Sequence, residues 1–247
     1  MTSWNNGNPP DVVWANAGSS HPELFVDASV DILRSQMDIN YFAAAYLAHA
    51  TLRSWLKPTT VKQTEESAAA MPQRHFIITS SVVAFVGLAG YAPYAPAKSA
   101  LRSLADTLRN EVRLYNGYRS ANPSKGPAND VEIHCVTPGT IYSPGLENEN
   151  KTKPGVTFKL EESDPRQTED EVAAAAVKGL ERGYYLITTQ WLGSLLRGGM
   201  LGGIPRNAIF LDTLTAWLTP LVWIFMSAEI EGKVTKWGET NEVKLPQ

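Results

Sequence analysis

Tyr94 and Lys98 stand four residues apart, and Ser81 lies thirteen residues before Tyr94. One turn of helix puts the phenol and the ammonium on the same face. A free tyrosine titrates near pKa ~10, too high for proton work at neutral pH. A neighbouring ammonium favours the phenolate and lowers that value. Such a tyrosine can act as general acid toward a carbonyl oxygen while hydride arrives at the carbon. The same lysine can hold a ribose hydroxyl of a cofactor. Ser81 falls just past the end of an apolar run, where its hydroxyl can donate to the substrate carbonyl. Three further features point the same way. Asn40 interrupts a helical stretch, where asparagine is a poor choice without a task. Asn16-Ala17-Gly18 follows one apolar run and Pro138-Gly139 follows another.

The elements that must position these residues are legible as alternating runs. Residues 11–15, 74–79, 131–136 and 184–188 are short, apolar and rich in β-branched or aromatic residues, and read as buried parallel strands. Between them lie long helical stretches. In 29–56, Val30, Leu33, Met37 and Tyr41 recur at helical spacing; in 94–115, Leu101, Leu104, Leu108 and Val112 do. Thr168 with Glu171 forms a capping box that opens a third helix, and Gly183 suits its end. Residues 57–67 are polar and aperiodic and read as a surface insertion, and 120–130 reads as a loop. Strand–helix alternation implies right-handed crossovers and a parallel sheet with helices on both faces.

The chain has 247 residues, 43% of them hydrophobic and 19% charged, with a net charge of −3. That is enough apolar material for a large core. The charge balance gives no basic face for a nucleic-acid partner. Cys135 is the single cysteine, so neither an internal disulfide nor a cysteine-based metal cage can form. His21, His49, His75 and His134 show no metal-ligand spacing and read as surface or satisfied core residues. The N-terminus lacks the basic flank and apolar run of a secretory signal. Residues 208–228 are apolar and nearly long enough to span a bilayer. Asp212, Pro220 and three threonines weaken a spanning reading, while Trp217 and Trp223 suit an interface. Membrane association and a core or dimer helix both remain open, and a homo-oligomer is compatible with the latter.

The ordered set Asn-Ala-Gly, Asn40, Ser81, Tyr94, Lys98 and Pro-Gly resembles the short-chain dehydrogenase/reductase superfamily. The resemblance implies a Rossmann-like doubly wound α/β fold and an NADPH or NADP cofactor. It also implies roles. Tyr94 is the acid, Ser81 polarises the ketone, Lys98 binds the nicotinamide ribose, and Asn40 holds a water in a proton relay. Pro138, Gly139 and Ile141 line the nicotinamide, Ser143 lies near the pyrophosphate, and Asn16, Ala17 and Gly18 line the cofactor and tie neighbouring strands. Residues 142–154, with 35–41 and 191–199, are similar to the 3-ketodihydrosphingosine reductases, fungal ones included. That branch implies a long-chain amino ketone reduced to dihydrosphingosine in sphingolipid synthesis. It implies an endoplasmic reticulum membrane location with the catalytic domain facing the cytosol. Within 142–154 the Glu/Asn/Lys run itself reads as a solvated loop, useful as a fingerprint and not as a site.

One part of the family pattern is missing. Only fifteen residues precede Asn16, and they contain no Gly-rich turn to meet a dinucleotide's phosphates at a helix N-terminus. The expectation is therefore a sheet lacking its first strand–helix units. Residues 1–190 would form a partial Rossmann domain, and 191–247 a C-terminal apolar, membrane-associating extension. Residues 11–15 would become an edge strand. This pattern fits a sequence that starts at an internal methionine, or a non-catalytic homologue without the phosphate loop. A reductase of other lipid or steroid ketones is a third reading.

Overall fold

A computed structural model describes residues 8–58 and 71–243. Its centre is a four-stranded parallel sheet in the order β1 (Val12–Ala15), β2 (Arg74–Thr79), β3 (Val131–Thr137), β6 (Leu186–Thr188). The register puts Phe76 beside Ile133 and Ile78 beside Cys135. Because side chains alternate across a strand, these four face one side, while Ile77 and Val136 face the other. The first side joins the main core with Ala44, Ala48, Trp55, Leu101, Ala105 and Val112. The second packs on Ala176 of the helix Glu169–Glu181. Both faces are covered, as the continuous apolar strands require, and β1 is the edge of the described sheet.

The first helical stretch is α1 (Val30–Met37) and α2 (Ala43–Trp55), joined by a π-helical turn at Asp38–Phe42. Ser29 caps it by accepting the Ile32 N–H. The expected apolar stripe is only partly right, because Val30 is exposed. Through its middle the stretch buries Gln36, Asn40, Ala44 and Ala48, four residues apart, and its end buries Thr51, Leu52 and Trp55. The π turn widens the helix locally and brings this stripe of small and polar residues against the sheet.

The second long helix, α3 (Ala95–Ala121), runs past its expected end at 115. Propensity does not hold the last turns, which contain Asn116 and Gly117; tertiary hydrogen bonds do. Asn116 exchanges two with the Val131 backbone, and Arg119 binds Asp130 and the Ala128 carbonyl. Between β3 and β6 the chain makes an excursion not expected from sequence. A two-stranded parallel ribbon pairs β4 (Thr140–Tyr142) with β5 (Arg166–Thr168). Two short helices, α4 (Pro144–Glu149) and α5 (Gly155–Leu160), lie between those strands. The Glu/Asn/Lys run therefore spans a helix and a turn; most of it is exposed, as expected, while Lys153 is buried. The capping box of α6 (Glu169–Glu181) forms as expected, and Gly183 at φ +68° ends that helix. Of the expected insertion at 57–67, residues 59–67 lie outside the described residues.

No break in packing falls at residue 190. Leu196 of α7 (Trp191–Gly199), with Leu201 and Ile204, joins the main core. The last helix, α8 (Ile209–Thr240), is inverted relative to a soluble core helix. Asp212 and Thr219 are its buried residues. Asp212 takes both guanidinium nitrogens of Arg197, at 2.6 and 3.1 Å, and accepts the Asn207 N–H. Gly198 and Gly199 let α7 approach the Thr215, Thr219 and Trp223 side of α8 closely. At the far end Trp237 lies against Gly155 of α5. Ile209, Phe210, Leu214, Trp217, Leu218, Leu221, Ile224 and Phe225 are meanwhile exposed. By length and composition this helix could cross a membrane.

The histidines read as bland residues include one pair inside the sheet. His134 Nδ1 lies 2.8 Å from the Tyr184 carbonyl and so carries the proton; Nε2 then accepts from His75 Nδ1 at 3.0 Å. Burial, and secondarily the His75 neighbour, pushes His134 below its ordinary value. A depressed histidine contributes stability above its unfolded pKa of ~6.5 and loses it as pH falls toward the folded value. The urea midpoint should therefore drop between about pH 7.5 and 5.5. His134→Gln, which cannot titrate, should shrink that drop; an identical drop in both proteins would remove His134 as its source.

Candidate active site

A parallel sheet brings the carboxyl ends of all its strands to one edge, and loops there form the crevice where ligands bind. That edge opens into a cavity of about 620 Å³. Its walls take Asn16 and Gly18 from the end of β1, Ser81 from the end of β2, Pro138, Gly139 and Ile141 after β3, and Gln190 after β6. Tyr94 and Lys98 enter from the start of α3, and Ser143 from the cap of α4. Eight of the expected site residues thus line one space with Ser81. Ala17 does not line it, and points to solvent between two residues that do.

Tyr94 is the N-cap residue of α3, with Pro96 in the first turn, where a missing N–H costs nothing. Ser80 fixes that turn by donating its hydroxyl to the Lys98 carbonyl at 2.7 Å. Lys98 Nζ donates to the Thr79 carbonyl at 3.1 Å and sits 5.5 Å from the Tyr94 ring centroid. Burial lowers its pKa to about 8. Burial also raises the Tyr94 phenol, Glu149 raises it further, and a hydrogen bond with Ser81 opposes both. The expected lowering by Lys98 is therefore overturned: the ammonium lies over the ring, and desolvation wins. The outcome still suits reduction, since an acid must arrive protonated.

Asn40 is fully buried in the π turn. Its Nδ2 donates to the Ser19 carbonyl at 2.8 Å and the Gln36 carbonyl at 3.0 Å, and its Oδ1 accepts the Ser19 N–H at 3.1 Å. The side-chain amide is thus held by protein partners. It clasps the 16–20 loop against α1–α2. Asn16 Oδ1 accepts from Thr79 Oγ1 at 2.7 Å, which ties β1 to β2 as expected. Ser143 Oγ accepts the Leu146 N–H as a helix cap and keeps its own proton free to donate.

Several polar atoms in the cavity wall lack protein partners. Lys98 has three donors, buried to 3% exposure, and one protein acceptor. Ser20 Oγ and Gln190 Oε1 are buried with no hydrogen-bond partner among the described residues. A ribose hydroxyl pair and a carboxamide would satisfy such a set, so the residues fit the nicotinamide half of a dinucleotide. Sequence reasoning missed Gln190, and it missed Tyr91, Glu149 and Glu161, which line the same cavity. Their only signal was the Glu149/Lys153 spacing inside the fingerprint run.

A family model for short chain dehydrogenases matches residues 6–154. The chain belongs to the short chain dehydrogenase family. It is 48% identical, over its whole length, to the 3-ketodihydrosphingosine reductase ksrA of Aspergillus fumigatus, and spans 66% of that protein. It is 42% identical over 95% of its length to the 3-ketodihydrosphingosine reductase gsl-3 of Neurospora crassa, spanning 61% of it. The fold is similar to a short-chain dehydrogenase from Burkholderia cenocepacia in complex with NADP. That match has TM-score 0.56 and 17% identity, and covers 82% of this chain and 70% of that one. A Sphingobium yanoikuyae short-chain dehydrogenase in complex with NADPH matches at TM-score 0.55 and 18% identity, covering 80% and 66%.

The closeness of the 16–20 loop to Asn40 and Lys98 is testable without any ligand. A methyl on Gly18 would lie 2.7 Å from Asn40 Oδ1 and 3.2 Å from Lys98 Nζ, whereas one on Gly87 meets nothing within 4 Å. Gly18→Ala should lose about 1–3 kcal/mol in urea denaturation by overpacking, and Gly87→Ala should lose far less. Equal losses would mean that the loop does not sit against these side chains.

Proposed function

We propose that this chain carries the catalytic machinery of an NADPH-dependent reductase that converts 3-ketodihydrosphingosine to dihydrosphingosine. The observation that carries the reading is the meeting of Ser81, Tyr94 and Lys98 in one cavity, with the apolar helices α7 and α8 supplying Leu192, Leu196, Met226 and Ile230 to another wall. A polar end with a proton donor and an apolar wall suit a ketone at the head of a long alkyl chain. The names of the two fungal relatives support the substrate, and the NADP- and NADPH-bound neighbours support the cofactor.

NADPH would supply the hydride. In this reading, Pro138, Gly139, Ile141 and Gln190 hold the nicotinamide, Lys98 grips its ribose, and Ser143 lies toward the pyrophosphate. Ser81 donates to the ketone oxygen and fixes its direction. Tyr94 delivers its proton to the same oxygen, and Lys98 and Ser81 stabilise the phenolate left behind. Asn40 acts by positioning, through the loop that carries Gly18 and Ser19.

A membrane location is supported by α8. Its polar and small residues are spent on α7, and its apolar side has no partner among the described residues. Both ends of the helix are packed on the catalytic unit, through Arg197–Asp212 at one end and Gly155–Trp237 at the other. A helix held that way lies in a bilayer face more readily than it crosses one. We place the protein on the cytosolic side of the endoplasmic reticulum membrane, where NADPH and a lipid ketone are both available.

Purified native protein should oxidise NADPH with 3-ketodihydrosphingosine at a higher kcat/KM than with a steroid ketone or a 3-ketoacyl thioester. Tyr94→Phe should lower that rate roughly 10²–10⁴-fold. A tenfold effect or less would remove Tyr94 as the acid, and a better competitor substrate would reassign the specificity. Separately, replacing Phe210, Trp217 and Phe225 together by Ser should move the protein off phospholipid vesicles in a flotation assay. Unchanged flotation would sink α8 as the docking surface.

A further inference from the structure

The cavity holds one charge that the proton transfer does not use. Glu149, the last residue of α4, lines the cavity beside Tyr91 and Tyr94. Tyr91 Oη lies within hydrogen-bond distance of both Glu149 Oε1, at 2.6 Å, and Glu161 Oε1. Lys153 Nζ bridges the same two carboxylates, 2.8 Å from Glu149 Oε1 and 2.6 Å from Glu161 Oε2. The Lys153 side chain is 1% exposed and that of Glu161 8%. Both oxygens of Glu161 are engaged. Glu149 is different: Oε1 faces Lys153 and Tyr91, whose one phenolic proton it shares with Glu161, and Oε2 has no hydrogen-bond partner among the described residues.

Two carboxylates and one ammonium leave a formal charge of −1 beside the place where a ketone must sit to reach Tyr94. An uncompensated charge in a half-buried site is unfavourable and wants a counter-ion. The other carboxylates of the cavity do not offer the same opening. Glu229 is paired with Lys233 at 2.7 Å. Asp164 is held above the usual carboxylate range by burial and then by Glu161, which favours its neutral form. Glu149 is the carboxylate whose charge reaches the Tyr94 phenol. Among the described residues no group of His, Cys, Asp and Glu could hold a metal ion, so an organic cation suits this carboxylate better than a metal.

We propose that Glu149 Oε2 accepts the ammonium of the substrate, on the carbon next to the ketone, and selects amino ketones over plain long-chain ketones. This rests on the reductase reading above and deepens it. With the ketone oxygen between Ser81 and Tyr94, the neighbouring ammonium turns toward Glu149, and the alkyl chain is left to run along α7 and α8. The bound cation also offsets the field of Glu149 on Tyr94, so the proton donor becomes stronger when the right substrate is present. The amine thereby serves recognition and chemistry together.

The test compares 3-ketodihydrosphingosine with its N-acetyl derivative and with the matching long-chain 3-ketone that lacks the amine, using native protein and NADPH. Wild type should prefer the free amine by at least about tenfold in kcat/KM, because a charge-assisted hydrogen bond is lost in both analogues. Glu149→Gln should reduce that preference at least about tenfold, mainly through KM for the amine-bearing ketone. Equal losses on all three ketones would assign Glu149 a structural role in the Lys153 cluster and overturn the proposal. Should the variant fail to fold, the wild-type comparison decides alone: equal efficiency with and without a free amine overturns amine recognition and leaves the reductase standing. Turnover of none of the three would instead defeat the reductase reading itself, and this inference with it.

Discussion

The buried ammonium of Lys98 organises this structure. A cation at 3% exposure is tolerated only where acceptors meet it, and the one protein acceptor is a carbonyl at the very end of β2. That requirement fixes the start of α3 over the carboxyl edge of the sheet. Ser80 reinforces it by binding the Lys98 carbonyl, so side chain and backbone of one residue are both tied to the β2 end. Tyr94 follows automatically, one turn earlier on the same helix. The 16–20 loop must then pass over the lysine with no side chain in the way, which is why Gly18 stands there. Asn40 holds that loop down from the other side, and its burial in turn calls for the π turn.

A second constraint comes from α8. Most helices of a soluble domain bury their apolar stripe and expose charge. Here the buried side carries Asp212 and Thr219, and the exposed side carries Phe210, Trp217 and Phe225. Burying a carboxylate needs a complete set of donors, and Arg197 with two backbone N–H groups supplies one. The ion pair therefore orients the helix: rotating α8 to hide its aromatic side would strand Asp212. The same orientation brings Met226 and Ile230 to the cavity wall, so the outward apolar surface and the substrate space share one helix.

Much of this was legible in the sequence, for physical reasons that differ by element. Strands buried on both faces read as apolar runs, and a capping box is a local signature, so β2, β3 and the start of α6 were found. Local pattern could not reveal the extension of α3, which depends on Asn116 meeting the Val131 backbone fifteen residues away. It also placed Val30 on the buried stripe, although Val30 is the first residue of α1 and stands exposed. Tyr94 and Lys98 were found as candidates because their spacing along one helix is a local signal. Glu149 was passed over because Tyr91, which binds it, is 58 residues away, and Glu161, which shares Lys153 and Tyr91 with it, arrives only through the excursion between β3 and β6. A run of Glu, Asn and Lys looks alike in a solvated loop and in a buried cluster; only tertiary placement separates them.

The electrostatics of the cavity then form a single balanced problem. Desolvation acts on Tyr94 and Lys98 in the same sense, against charge: it raises the phenol and brings the ammonium down to about 8. In the proposed ketone reduction, the acid needs the first effect before the reaction and its reversal during it, when the proton leaves. Groups that favour the phenolate must therefore act late. Ser81 does so through its hydrogen bond. In the proposed reaction Lys98 would do so as a charge held over the ring in advance, with no reorganisation at the moment of transfer. Glu149 acts in the opposite direction, even with Lys153 on its Oε1, and under the proposal above would be a handicap if nothing further offset it. A carboxylate that opposes the chemistry until a cation arrives makes sense in a site whose substrate brings that cation next to its own ketone.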